Sequence, residues 1–184
     1  MPYIVCLHGT TWNSKLWPTQ HWIDLVIESV KRGYAIKITS GNETEFQRAQ
    51  DIKSGAKAVM PDADIQVLPR LNITDVAIML THASGTVAVD TGFAHLAAAL
   101  NTPQISIYGS TNSNLTAAYG HNQKSIQSTI ECSPCMKREC AHPRFKELNY
   151  PPCYEKITAK VIWNELEYII GAAKSKKTTG SLAR

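Results

Sequence analysis

Five short apolar runs alternate with five helical patterns, and this alternation restricts the fold more than any other feature of the chain. The runs predict strands at Tyr3–Leu7, Tyr34–Thr39, Ile65–Leu68, Thr86–Val89 and Gln104–Tyr108. The helical patterns cover residues 18–31, 43–53, 72–82, 93–101 and 158–173. Strands that are separated by single helices pair in parallel and carry helices on both faces of the sheet. The sequence therefore predicts an α/β fold with a doubly wound parallel sheet.

In the remaining segments the apolar residues are not spaced as in a helix or a strand. Residues 109–153 are rich in Asn, Pro and Cys, and we expect them to be irregular. Residues 174–184 are polar and predict a disordered tail behind the last helix. A chain of 184 residues is long enough for one good core but short for two, so we expect residues 1–173 to form a single domain.

The composition excludes several classes of protein. Hydrophobic residues make up 43% of the chain and charged residues 18%, which is typical of a globular protein. No apolar run approaches the roughly 20 residues needed to cross a bilayer, and residues 2–7 are too short for a signal peptide. We therefore expect a cytoplasmic protein. The net charge of +4 suits an anionic ligand or a membrane surface, but no basic stripe is dense enough for nucleic acid.

The segment around the fourth predicted strand combines an acid, a tight turn and the start of a helix. Asp90 ends the strand, Thr91 and Gly92 form the turn, and His95 falls in the first helical turn. Free backbone N–H groups and the helix dipole suit a phosphate there, and open α/β sheets place ligand residues at strand ends. His95 there either donates to a ligand oxygen or caps and packs. An ordinary strand–helix turn with Asp90 as its N-cap explains the same residues.

The loop after the first strand carries two hydroxyls and one ammonium group, from Thr10, Thr11 and Lys15. These groups suit a diphosphate, with Lys15 acting as a point charge. The segment matches neither the Walker A loop nor the glycine-rich dinucleotide fingerprint. A solvated Thr/Asn-rich loop is the alternative.

The second predicted strand is followed by an acidic segment that ends in Glu45. A carboxylate at this place can accept hydrogen bonds from the diol of a ribose. Acids at the start of a helix also complement its dipole, and the residues alone favour that simpler interpretation.

Four cysteines follow one another in the segment that we expect to be irregular: Cys132, Cys135, Cys140 and Cys153. Four thiolates can hold a structural zinc ion, although paired Cys-x2-Cys motifs would be a stronger signal. Unligated thiols in a packed loop and oxidised thiols are the alternatives. A cytosolic location disfavours disulfides.

Several of these segments together resemble the lipopolysaccharide heptosyltransferases, which are ADP-heptose glycosyltransferases of family 9. The motifs that carry the resemblance are His8-Gly-Thr-Thr-x4-Leu-Trp-Pro18, Ala88-Val-Asp-Thr-Gly-Phe-Ala-His-Leu96, Thr102-Pro-Gln-Ile-Ser-Ile-Tyr-Gly-Ser-Thr111 and Cys132-Ser-Pro-Cys135. The resemblance runs from about residue 3 to residue 172. It implies a Rossmann-like sheet that forms the C-terminal half of a GT-B fold. The first motif is closest to members that add the first heptose, and the cysteine motif to members that add the second.

The resemblance also implies a set of residues that bind the ADP-heptose donor. Those expected at the diphosphate are Thr10, Thr11, Lys15, the amides of Thr91 and Gly92, and His95, which is also expected to contact the sugar. Glu45 is expected at the ribose, Leu71 at the adenine and Asp90 at the heptose hydroxyls. Lys15 would stabilise the leaving diphosphate, and the resemblance implies no metal or other cofactor.

The implied reaction is inverting transfer of heptose onto Kdo2-lipid A or onto the first heptose of the core. The acceptor is a lipid, which implies peripheral contact with the cytoplasmic face of the inner membrane. In the family the acceptor site and the catalytic aspartate base belong to a preceding domain, so we expect this chain alone to be inactive. The alternatives are a domain of a GT-B transferase or epimerase that uses a uridine donor, and a non-catalytic nucleotide-binding module.

Overall fold

The computed structural model describes the backbone of residues 1–181 and the side chains of residues 1–175. The strands are β1 (Tyr3–Leu7), β2 (Ala35–Ile38), β3 (Ile65–Val67), β4 (Gly85–Val89), β5 (Gln104–Tyr108) and β6 (Gln123–Gln127). The helices are α1 (Thr19–Lys31), α2 (Glu43–Val59), α3 (Ile73–His82), α4 (Gly92–Ala99), α5 (Ser113–Thr116), α6 (Phe145–Leu148) and α7 (Ala159–Ser181). Short 3₁₀ turns cover Asn13–Lys15 and Pro152–Tyr154.

The six strands form one parallel sheet in the order β3-β2-β1-β4-β5-β6. The chain builds outward from β1 in one direction and then from β4 in the other. In sheets of this order a crevice opens at the carboxyl ends of the two strands where the direction reverses. The predicted doubly wound sheet is confirmed, and its switch point lies between β1 and β4.

Each face of the sheet is covered by its own apolar cluster. The cluster that α1, α2 and α7 contribute to includes Trp22, Ile52 and Leu166, all fully buried. The cluster on the opposite face includes Val76 and Leu80 from α3. Because both faces are covered, the inner strands β1, β4 and β5 are almost completely buried, as is usual for parallel sheets.

Helix α2 is longer than its sequence pattern indicates, since it continues past Gly55 to Val59. A Cβ atom on Gly55 would lie only 2.4 Å from Cδ1 of Ile23. The glycine therefore marks the close approach of α2 to α1 and does not end the helix.

Most of residues 109–153 are irregular, but they also contain β6 and two short helices that the sequence did not predict. Strand β6 pairs with β5 over five residues, from Gln104 opposite Gln123 to Tyr108 opposite Gln127. Its sequence, Gln-Lys-Ser-Ile-Gln, has a single large apolar residue. An edge strand needs little apolar surface, so this strand has no apolar run to reveal it.

The predicted disordered tail is also wrong over residues 174–181, which continue α7 to Ser181. The tail is polar but contains no proline, and lysine is a good helix former, so nothing in the residues stops the helix at residue 173. Residues 182–184 of the predicted tail lie outside the described residues. Within the described part of the chain, no helix has the length and apolar character to cross a membrane.

Candidate functional site

A cleft of about 480 Å³ opens at the carboxyl edge of the sheet, beside the switch point between β1 and β4. Eight of the nine residues that the resemblance assigns to the donor line this cleft: Thr10, Thr11, Lys15, Glu45, Asp90, Thr91, Gly92 and His95. Leu71 is the exception. It is not among the residues that line the cleft, and it packs against the apolar cluster that includes Val76 and Leu80. Its expected place at the adenine stays a prediction.

Lys15 and Asp90 form an ion pair inside the cleft. The Nζ atom of Lys15 lies 2.8 Å from Oδ2 of Asp90, and the side chains are only 16% and 9% exposed. The ammonium group also lies 4.5 Å from the centre of the Trp12 ring. Lys15 ends a 3₁₀ turn after β1, and Asp90 follows β4, so the pair spans the switch point of the sheet. A cation is therefore held in place at the crevice with little water around it.

The N-terminus of α4 is open toward the same cleft. Thr91 occupies the N-cap position with extended backbone angles, but its side chain makes no capping hydrogen bond, and the first turn contains no acid. Asp90 is therefore not the N-cap that the ordinary interpretation of this turn required. The first N–H groups of α4 and the positive end of its dipole remain available to an anion. The side chain of His95 is exposed in the first turn.

Glu45 lines the cleft from the first turn of α2, which follows β2, whereas α4 follows β4 on the other side of β1. Its Oε2 atom accepts a hydrogen bond from the amide of Gly41 at 2.7 Å, and Asn42 caps the helix by accepting from the Glu45 amide at 2.9 Å. A Cβ atom on Gly9 would come within 2.5 Å of the Glu45 carboxyl carbon. The capping interpretation and the ribose interpretation are thus compatible, because the same carboxylate supports the helix start and faces the cleft.

The loop after β1 is fastened to its neighbours on both sides. Thr10 donates a hydrogen bond from Oγ1 to the backbone oxygen of Asp90 at 3.2 Å, which ties the loop to the end of β4. Thr11 is exposed at the loop's tip. The predicted hydroxyl and ammonium groups of this loop therefore line the same cleft as the N-terminus of α4, and the Thr10 hydroxyl is already bound to the end of β4.

Ser14 is a part of this loop that the sequence did not single out. Its buried hydroxyl donates to the backbone oxygen of Lys137 at 2.6 Å and lies 2.9 Å from Oγ of Ser110. The Ser14 amide donates to the backbone oxygen of Arg138 at 3.0 Å, and the hydroxyl of Tyr154 donates to the Ser14 oxygen at 2.9 Å. All these partners lie about 100 or more residues away in the sequence, so no local pattern indicates them.

The four cysteines of the predicted cluster line one small cavity of about 20 Å³, which Ser14 also lines. All four are free thiols, and burial raises the pKa of Cys153 to about 12. Among the described side chains, no group of three or more His, Cys, Asp or Glu residues is arranged to hold a metal ion. The zinc alternative for Cys132, Cys135, Cys140 and Cys153 stays a prediction.

Residues 1–146, which include all the residues that line the cleft, match the profile of glycosyltransferase family 9 (heptosyltransferase). The chain belongs to this family. It is 35% identical to lipopolysaccharide heptosyltransferase 1 of Pseudomonas aeruginosa over 182 residues, which are 95% of this chain and 50% of that protein. The chain thus spans about half the length of this relative.

Two solved structures resemble the chain, one in sequence and fold and the other in fold alone. The Escherichia coli heptosyltransferase WaaC with ADP-2-deoxy-2-fluoro heptose matches with a TM-score of 0.60 and 32% identity, over 80% of this chain and 43% of that one. The E. coli ADP-heptose lps heptosyltransferase II matches with a TM-score of 0.77 over 94% of this chain and 47% of that one. At 20% identity the second likeness shows the fold alone. The expected half of a GT-B fold is confirmed.

Proposed function

We propose that this chain binds ADP-heptose and forms the donor-binding half of a lipopolysaccharide heptosyltransferase. The observation that carries the proposal is the cleft at the switch point, which is lined by a paired lysine, an open helix N-terminus and a carboxylate. A solved relative has been captured with an ADP-heptose analogue, as its description states, and the likeness to that relative supports the same donor here.

The charges of the cleft suggest how the donor lies. The diphosphate belongs at the N-terminus of α4, within reach of Lys15, because these are the two cationic features of the cleft. Glu45, which lines the cleft from α2, then faces the ribose diol. Asp90 is left for the heptose hydroxyls, since a carboxylate binds hydroxyls well and repels phosphate.

The proposed reaction is a displacement at the anomeric carbon of the heptose. The acceptor hydroxyl attacks that carbon, the bond between the carbon and the diphosphate oxygen breaks, and ADP leaves with the added negative charge. Lys15 and the α4 amides stabilise this charge, which is an electrostatic contribution that needs no metal. The proton of the acceptor hydroxyl goes to a base that we assign to the other half of the enzyme.

The wider role is part of the same proposal. The acceptor would be Kdo2-lipid A or a core that already carries one heptose, and the transfer would take place at the cytoplasmic face of the inner membrane. The relationship to a heptosyltransferase 1 and the motif after β1 both favour the first of these acceptors.

Titration of the chain with ADP, UDP and ADP-heptose in a calorimeter tests the donor. We expect weak binding of ADP, tighter binding of ADP-heptose and little binding of UDP. Equal or tighter binding of UDP would favour a transferase or epimerase with a uridine donor. Addition of the N-terminal half of a close relative should restore transfer, whereas transfer by this chain alone would contradict the division of roles proposed here.

A further inference from the structure

Arg48 is a partly buried cation beneath the loop that follows β1. It projects from α2, one turn after Glu45, and it is not among the residues that line the cleft. None of the ion pairs among the described side chains involves Arg48. Burial lowers its pKa to about 10, so it remains charged at neutral pH. The nearby charge of Glu45 favours the charged guanidinium, but the two side chains form no ion pair. A partly buried cation of this kind is costly, and it is normally retained for the hydrogen bonds that it makes.

The hydrogen bonds of Arg48 close both ends of one loop. Its Nη1 atom donates to the backbone oxygen of His8, the first residue after β1, at 3.3 Å. Its Nη2 atom donates to the backbone oxygen of Trp17, and its Nε atom to Oγ1 of Thr19 at 3.4 Å. Residues 9–16 therefore form a loop whose two ends are held by a single guanidinium group.

That loop and α2 carry groups that are proposed to contact different parts of one ligand. Lys15 belongs to the loop and Glu45 to α2, and both side chains line the cleft. Their spacing depends on how the loop is fastened to α2. Arg48 fastens both ends of the loop to α2, at His8 and Trp17, and its third contact, to Thr19, reaches the start of α1. Lys15 and Thr10 fasten the loop to the end of β4.

We infer that Arg48 is a positioning residue for the diphosphate-binding loop, a role that rests on the proposed function of the cleft. It does not touch the donor. It holds residues 9–16 against α2 so that Lys15 and the Thr11 hydroxyl meet the diphosphate while Glu45 meets the ribose. The role needs the planar fork of arginine, because one ammonium group cannot reach three acceptors that lie in different directions.

The test compares Arg48→Met and Arg48→Lys with Ile52→Val in the full chain. Ile52 is fully buried one turn further along α2, so its shortening loosens the same helix without touching the loop. We expect both Arg48 variants to weaken ADP binding by about tenfold or more, which is the loss that one charge-assisted contact typically causes. Ile52→Val should bind ADP as the unaltered chain does. Amide exchange in residues 9–16 should accelerate only in the Arg48 variants.

A double-mutant cycle with Lys15→Ala separates positioning from general stability. If Arg48 acts through the loop, Arg48→Lys should weaken ADP binding much less when Lys15 is already absent. The inference would be overturned by additive effects in the cycle, by full ADP affinity in Arg48→Lys, or by unchanged ADP affinity in Arg48→Met. In each of these cases, ADP binding by the unaltered chain would still support the proposed function. Failure of the unaltered chain to bind ADP would overturn both. If Arg48→Met does not fold, Arg48→Lys alone decides.

Discussion

The ion pair between Lys15 and Asp90 predicts that two neutralising substitutions in the cleft act in opposite directions on ADP binding. In the free chain the ammonium group already lies 2.8 Å from a carboxylate oxygen. An incoming diphosphate must therefore compete with Asp90 for Lys15 and must also approach the negative charge of Asp90 itself. Lys15→Ala removes the cation from this competition, and Asp90→Asn removes the competitor.

The expected changes in ADP affinity follow from the burial of the ion pair. With side chains only 16% and 9% exposed, solvent screening is limited, and the contact is comparable to other charge-assisted hydrogen bonds. Loss of such a bond costs roughly 1.5–3 kcal/mol, so Lys15→Ala should weaken ADP binding about 10- to 150-fold. Asp90→Asn should leave ADP affinity unchanged or raise it up to about tenfold, because the gain from freeing Lys15 is offset by its looser placement. ADP-heptose should lose its advantage over ADP in that variant.

Calorimetry with ADP and ADP-heptose on each variant measures these changes. Lys124→Ala is the matched control, because it also removes one positive charge but breaks an exposed ion pair with Glu165 that lies outside the cleft. It should leave both affinities unchanged. An equal loss for both ligands in Asp90→Asn would show that Asp90 only supports the turn and would refute its assignment to the sugar. An unchanged affinity in Lys15→Ala would refute the placement of the diphosphate.

Three further predictions concern single positions. Gly9→Ala places a Cβ atom within 2.5 Å of the Glu45 carboxyl carbon, so it should displace that carboxylate and weaken ADP binding. An unchanged ADP affinity in calorimetry would contradict the close contact. Gly171→Ala has open space in α7 and should raise the free energy of unfolding by about 0.5–1 kcal/mol in urea titrations, whereas a loss would show strain at that position. Burial, and to a lesser extent the positive charge of Arg48, lowers the pKa of His8 to about 4. As the pH falls, His8 therefore takes up a proton in the unfolded chain before it does so in the folded chain. His8 should therefore cost no stability above about pH 6.5 and roughly 2 kcal/mol by pH 5, and His8→Gln should lose most of this pH dependence.

The sequence predicts those parts of the fold that local patterns encode. Strands β1, β4 and β5 are apolar throughout because both faces of the sheet are covered, and this continuous character made them recognisable. Strand β6 was missed for the opposite reason, since its edge position tolerates polar residues. The end of α7 differs from the prediction because polar residues alone do not distinguish a disordered tail from a polar helix without proline that continues into solvent.

The same contrast holds for the candidate site. Lys15, Glu45 and Asp90 stand directly after strands or at the start of a helix, where chain position alone brings them to one edge of the sheet. Ser14 and Arg48 carry no such signal. Most of their partners are backbone oxygens, which leave no trace in the sequence, and Ser14 contacts residues more than 120 positions away. Their supporting roles were therefore visible only in three dimensions.

The loop of residues 9–16 is fastened to both halves of the sheet at the switch point. Thr10 and Lys15 fasten it to the end of β4, and Arg48 fastens it to α2 on the other side of β1. Under the proposed function the two attachments differ in kind, because a diphosphate would compete for Lys15 but would have no means of competing for the backbone oxygens that Arg48 holds. Donor binding would then release Lys15 from Asp90 while the loop stayed in register with Glu45. Lys15 would thus change partners without a change in the shape of the cleft.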